Sequence, residues 1–217
     1  MKGTNNNGRS ILNILIGGEA GQGLVTVSQI LSKSLVRSGY CIVVTQSYQS
    51  RIRVGHNSFA IRVGTEEIVA PQESVDLLVA LDKNTVDLHR AELSSNYLVV
   101  IDEAFGIDGD SILRVPFKGL AQERFSNIAA LGVVSTLLGL NKGLVIKTVE
   151  DFFGKAHLDA LKENRAVFER SSGWTSERSV NFDTLVQVPE PPGRLMMNGN
   201  EAIALGALSS EIGRAHV

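Results

Sequence analysis

The stretch ILNILIGGEAGQGLVTVSQILSKSLVR, residues 11–37, decides the fold. Ile11 to Ile16 is a short, mostly apolar run ended by a glycine pair, the pattern of a buried strand. From Leu24 the period changes. Leu24, Val27, Leu31 and Leu35 recur at i+3 and i+4, with Ser28, Ser32, Lys33 and Arg37 between them. That is an amphipathic helix, and Gly39 stops it. Tyr40 to Thr45 reads as a second strand. A strand, glycine loop, helix and strand in this order favour a parallel pair with a right-handed crossover.

Further along, SYQSRIRVGHNS (47–58) reads as a polar, basic loop. Phe59, Ile61 and Val63 then alternate with Ser58, Ala60 and Arg62, the period-two pattern of a half-exposed strand. Gly64 to Glu66 reads as a turn and Glu67 to Ala70 as a returning hairpin strand, so the sheet is expected to be mixed. Val75 to Leu81, Tyr97 to Asp102 and Ser111 to Pro116 are further strands, with a short helix from Asp82 through Leu93. Helical segments follow over 120–140, 147–157 and 158–172, the second with Thr148 and Asp151 spaced as a helix-start cap. The expected fold class is α/β: three layers, a central mixed sheet, a glycine-rich loop after the first strand, and a helical C-terminal part.

With 217 residues, 43% of them hydrophobic, the chain can build one sizeable core. A net charge of −2 gives no electrostatic case for nucleic acid or an anionic membrane. The longest apolar stretch, Ile128 to Leu140, is short of the roughly 20 residues a membrane span needs and reads as a buried helix. The lone Cys41 excludes an intrachain disulfide framework and an all-cysteine cluster site, and reads as an inert core thiol. His56, His89, His157 and His216 lack metal-ligand spacing, so no metal site is read. Residues 1–10 are polar, carry no signal-peptide core and read as a floppy tail of a cytoplasmic protein. QVPEPPG (187–193) reads as a stiff linker at a domain boundary.

The loop spacing is G-G-x-x-G-x-G: Gly17, Gly18, Gly21, Gly23. No register gives the dinucleotide fingerprint G-x-G-x-x-G, and the second strand ends without an acid for a ribose. Gly18 and Gly23 have the gap of a nucleotide P-loop, but Leu24 stands where its lysine should be. Two readings stand. Backbone N–H groups and the helix's positive end could hold a phosphate, or the glycines only permit a tight turn and close packing.

Arg51 and Arg53, near Tyr48 and His56, could clamp a carboxylate or phosphate, or pair with another domain or subunit. His56 reads as a structural hydrogen-bonding residue, and Asp102-Glu103 as a cap of the next turn. No nucleophile elbow G-x-S-x-G occurs, and no catalytic residue is assigned.

GGEAGQGLVTVSQILSKSLVRSGY followed by TQSYQSRIRVGHNSFAIRV resembles the gamma subunit, or gamma domain, of 2-oxoacid:acceptor (ferredoxin) oxidoreductases, from about Leu12 to Ser172. RLMMNGNEAIALGAL (194–208) resembles the start of the alpha domain, which in one branch, 2-oxoglutarate ferredoxin oxidoreductase-like, follows gamma in one chain. The resulting organisation is a tail (1–10), a gamma domain (11–186), the linker (187–193) and an alpha-domain start (194–211). Ile212 to Val217 is what ATCGGAAGAGCACACGTC encodes, a string like a short-read sequencing adapter, so these six residues are expected to be non-native and the alpha domain truncated.

The resemblance implies a part of an enzyme that oxidatively decarboxylates a 2-oxoacid to an acyl-CoA. Coenzyme A would bind at Gly18, Gly21, Gln22 and Gly23, with Tyr48, Arg51 and Arg53 lining the substrate approach or a subunit interface. Thiamine diphosphate, magnesium and 4Fe-4S clusters would sit on partners, namely a beta subunit and the alpha domain, with ferredoxin or flavodoxin receiving electrons. The chain departs from the family pattern at Ala20 and Val54, where glycines are common, and Glu19 adds a negative charge beside the loop. The rival readings are a non-catalytic scaffold subunit and an independent nucleotide-binding protein.

Overall fold

A computed structural model describes residues 8–48, 55–154, 158–189 and 191–210. Six strands form one sheet in the order β2-β3-β1-β4-β5-β6. They are β1 Ile11–Glu19, β2 Cys41–Tyr48, β3 His56–Gly64, β4 Val75–Ala80, β5 Leu93–Asp102 and β6 Ile112–Val115. β1, β4, β5 and β6 are mutually parallel, and β3 is antiparallel to both its neighbours, so the sheet is mixed as the alternation at Phe59–Val63 implied.

The expected β1–β2 pair does not form. β3 lies between them, with Ile14 opposite Ile61 and Val44 opposite the same residue from the other side. β2 still runs the same way as β1, but a local hairpin with β3 takes the place beside it. Leu12 to Gly18 are all buried, because β1 has strands on both edges and helices on both faces.

The helices are α1 Leu24–Arg37, α2 Lys83–His89, α3 Phe117–Leu120, α4 Ser126–Leu137, α5 Lys142–Phe153, α6 Leu158–Ser176 and α7 Gly199–Ser209. One face of the sheet packs Ile14, Ile16, Phe59, Ile61, Leu77 and Val79 against α1 and α4. The other face packs Leu15, Leu78, Val99 and Ile101 around Val86 of α2. Strand residues alternate between the two cores, as the period-two geometry requires. α4 is buried nearly all round, as the apolar run from Ile128 indicated, because α6 covers its outer side. There a Cβ on Gly132 would come within 2.0 Å of Ser171 Oγ, so glycine lets the two helices approach closely.

Several boundaries differ from expectation. The basic loop is shorter than 47–58, because Ser47 and Tyr48 end β2 and His56 to Ser58 begin β3. Arg51, Arg53 and Val54 lie outside the described residues. Residues 67–70 form no strand; the Arg62 guanidinium donates to the Ala70 carbonyl at 3.2 Å, so a side chain rather than a backbone ladder holds that segment. The helix from Asp82 stops at His89, and Leu93 already belongs to β5. The segment read as one helix over 120–140 is broken into α3, a single turn at Glu123–Phe125, and α4.

α5 starts five residues earlier than expected, at Lys142 rather than Lys147, because the Asn141 side chain caps it by accepting from Leu144 N at 3.0 Å. Thr148 is therefore mid-helix; it donates back to Leu144 O and accepts from Arg37 of α1 at 3.0 Å. Cys41 is half-buried on the edge strand rather than in the core, and touches the Arg194 guanidinium. Of the expected tail, Arg9 is docked: it pairs with Asp76 at 2.8 Å and forms a bridge with Leu185.

Candidate functional site

The carboxyl ends of β1, β4 and β5 open into one cleft of about 1020 Å³. Ligands of open α/β sheets bind outside these strand ends, where the backbone turns away and leaves a crevice. Gly21, Gln22 and Gly23 form one wall, and Leu81 and Asp102 lie at the strand ends. Phe117, Lys118, Arg124, Ser126 and Asn127 form a second wall, which meets the first where Asn127 lies against Gly23.

The loop is braced by a side chain. Gln22 Oε1 accepts from Glu19 N at 2.9 Å, and its Nε2 donates to the Leu81 carbonyl at 3.1 Å. Gln22 thus ties the end of β1 to the end of β4, and both of its polar atoms are used in doing so. Gly18 lies beneath it, where a Cβ would come within 2.4 Å of Gln22 Oε1.

Gly23 is the residue before α1, at φ 75°, and a Cβ there would meet Asn127 Nδ2 at 2.3 Å. Packing therefore accounts for glycine at both 18 and 23. Gly21 is different: its φ is 96°, it is exposed, and a Cβ would meet nothing within 4 Å. It is the open part of the loop.

α1 begins without a side-chain cap and without an acidic residue in its first turn. Its first N–H groups lack intrahelical partners and carry the positive end of the helix dipole toward the loop. α4 also begins without a side-chain cap, on the second wall. Arg124 stacks over Phe125, 4.6 Å from the ring centroid. Asp102 accepts from Ala104 N at 2.9 Å and so caps the next turn, as its place at a strand end indicated. Glu123 is exposed on the same rim. The cleft is thus mixed in charge, with the two helix ends and Lys118 and Arg124 favouring an anion.

Of the residues singled out from sequence, Gly21, Gln22 and Gly23 line the cleft, whereas Gly18 is buried in β1. Tyr48 ends β2, two strands away from β1, opposite Asn57. His56 begins β3 and contacts His89 rather than the cleft. Sequence reading missed Lys118, Arg124 and Asn127, which lie about a hundred residues after the loop and carry no local motif. The only local signal was the polar Ser126-Asn127 pair before an apolar helix. Among the described residues, no group of three or more His, Cys, Asp or Glu could hold a metal ion.

A model of the pyruvate ferredoxin/flavodoxin oxidoreductase family matches residues 13–174, and the chain belongs to that family. It is 26% identical over 176 residues to the 2-oxoglutarate synthase subunit KorC of Archaeoglobus fulgidus, covering 78% of this chain and 93% of that one. It is 31% identical over 78 residues to a 2-oxoacid:ferredoxin oxidoreductase subunit alpha of Sulfolobus, covering 36% of this chain but 12% of that relative's length.

Among solved structures, a 2-oxoglutarate:ferredoxin oxidoreductase from Magnetococcus marinus with 2-oxoglutarate, coenzyme A and succinyl-CoA bound superposes with a TM-score of 0.83. The identity is 19%, over 92% of this chain and 37% of that one. The gamma subunit of a keto/oxoacid ferredoxin oxidoreductase from Geobacter sulfurreducens gives a TM-score of 0.66 at 20% identity, over 78% and 98%. These structures share the fold.

Proposed function

We propose that this chain supplies the gamma domain of a 2-oxoacid:ferredoxin oxidoreductase and holds coenzyme A in the cleft beside the glycine loop. The observation that carries this reading is Gly21. Close packing accounts for glycine at 18 and 23; at 21 the positive φ alone does, and the space around it is open. A backbone left bare at φ 96°, beside an uncapped helix start at the strand ends, fits an approaching phosphate. The coenzyme A bound in the Magnetococcus marinus relative supports the ligand. Gln22 holds the loop and the backbone receives the ligand; Tyr48, Arg51 and Arg53 serve the substrate approach or a subunit contact.

The oxidative chemistry belongs to partners: thiamine diphosphate with magnesium and iron–sulfur clusters on a beta subunit and an alpha domain, and ferredoxin or flavodoxin as acceptor. Coenzyme A supplies the thiol that takes the acyl group. Coverage supports a gamma domain followed by more chain. The Geobacter gamma subunit matches 78% of this chain, and the longer Magnetococcus chain 92%, a span that leaves room for the linker and the alpha-domain start. No helix among the described residues is long and apolar enough to cross a membrane.

Calorimetric titration of the full chain, alone and assembled with candidate alpha and beta partners, tests the reading. Coenzyme A should bind with a measurable heat in at least the assembled form. Absence of binding in both forms would reject the cofactor site and leave the scaffold reading.

A further inference from the structure

Two histidines outside the cleft meet edge to edge. His56, first residue of β3, and His89, last of α2, place Nε2 against Nε2 at 2.8 Å. The other nitrogen of His89, Nδ1, faces both Glu92 oxygens at 3.0 Å. The other nitrogen of His56, Nδ1, faces Thr85 Oγ1 at 3.5 Å, and that hydroxyl lies 3.1 Å from Asp82 Oδ1. The chain therefore runs Glu92, His89, His56, Thr85, Asp82, with a carboxylate at each end.

Counting hydrogens sets the protonation. A carboxylate only accepts, so His89 Nδ1 must carry a hydrogen for Glu92. The single Thr85 hydrogen goes to Asp82, and at 3.5 Å Thr85 does not fix a hydrogen on His56 Nδ1. The contact between the two Nε2 atoms needs one more. Two ring hydrogens, the number two neutral imidazoles hold, therefore satisfy the chain, and a third fits on His56 Nδ1. A fourth would set N–H against N–H.

We infer that His56 and His89 form a one-proton lock that fastens α2 to the start of β3, beneath the glycine loop. The bridge between the Nε2 atoms holds a single hydrogen, and it breaks when both rings are fully protonated.

The surroundings agree. Burial first, and then the charge of His89, hold His56 below its ordinary value, while Asp82 and Glu92 act the other way. Among the other charged groups nearby, Glu19 opposes His56 across β1 and β3 with its side chain in solvent, and Arg90 pairs with Asp87 on the exposed side of α2. Gly17 of β1 transmits the lock to the loop stem: a Cβ there would come within 2.6 Å of Thr85 Cγ2 and 2.9 Å of His56 Cε1. A shift of α2 therefore changes the packing against Gly17, one residue before Gly18.

Nitrogen-edited NMR of the imidazoles in the full chain tests this directly. Near pH 7 just one of the two Nε2 atoms should carry a hydrogen, and the two rings should titrate in separate steps. Hydrogens on both Nε2 atoms at that pH, or on neither, or two rings titrating independently near the ordinary value, would overturn the lock. Amide exchange gives a second readout: protection over residues 83–89 should fall at least about 10-fold between pH 7 and 5. His89→Gln can donate to or accept from His56 Nε2 and takes up no proton, so it should remove that pH dependence. Its persistence in a folded His89→Gln protein would overturn the proposal; should the variant fail to fold, the wild-type spectrum decides.

Discussion

Replacing Gly21 by alanine separates a loop that receives a ligand from one that only turns. The φ of 96° strains an L residue, at a cost of about 1–2 kcal/mol. No steric term adds to it, since a Cβ at 21 would meet nothing within 4 Å. In a domain of this size that corresponds to a fall in Tm of about 2–8 °C, small enough to leave the protein folded. The new methyl group would stand where a phosphate must approach, and coenzyme A affinity should drop about 10- to 100-fold, or about 1.4–2.8 kcal/mol. Thermal unfolding and calorimetric titration of the same samples read the two effects separately.

Gly23→Ala is the matched control. It carries the same backbone strain, at φ 75°, and a collision with Asn127 Nδ2 at 2.3 Å, so it should destabilise more. Asn127→Ala should rescue part of that loss in a double-mutant cycle. A Gly21→Ala protein destabilised as expected but binding coenzyme A like the wild type would refute the role given to the open glycine.

Other outcomes follow from the same structure. Gln22→Leu removes two hydrogen bonds and leaves the Leu81 carbonyl without that donor, so denaturant unfolding should show a loss of about 1–3 kcal/mol, with weaker coenzyme A binding. Asp76→Ala strips the carboxylate that accepts from Arg9 and from both the backbone and side chain of Asn13, and should cost about 2–4 kcal/mol in urea unfolding. His56 is held below its ordinary value of 6.5, so the unfolded chain takes up a proton there first. Its contribution should leave stability level above about pH 6.5 and lower it as the pH falls through that value, and His56→Gln should flatten this slope in urea midpoints measured across pH.

Much of the fold was legible in short-range pattern. The strand–glycine–helix opening, the alternation at Phe59–Val63 and the apolar run from Ile128 each fall on an element whose ends lie within about three residues of where they were read, because burial of one face imposes a period on the local sequence. Helix starts were less legible. Thr148 and Asp151 have the spacing of a cap, yet Asn141 caps α5, because Thr148 instead bonds back to Leu144 and across to Arg37. The cleft was half legible: the glycine loop announces itself, whereas Asn127, Lys118 and Arg124 reach it only because α4 packs beside α1 and α3 beside α4.

By itself, the amino-acid sequence determined the family, the α/β class and the loop, since these depend on residues close together in the chain. Only the tertiary structure decided that β3 stands between β1 and β2, since strand order depends on which edges and faces are covered and not on any one strand's pattern. It alone decided what each loop glycine is for. Gly18 and Gly23 are packed by Gln22 and Asn127, and Gly21 is open, a distinction made by neighbours that arrive from elsewhere in the fold. The pairing of His56 with His89 was hidden for the same reason: two histidines 33 residues apart share a proton only after β3 and α2 have been brought together.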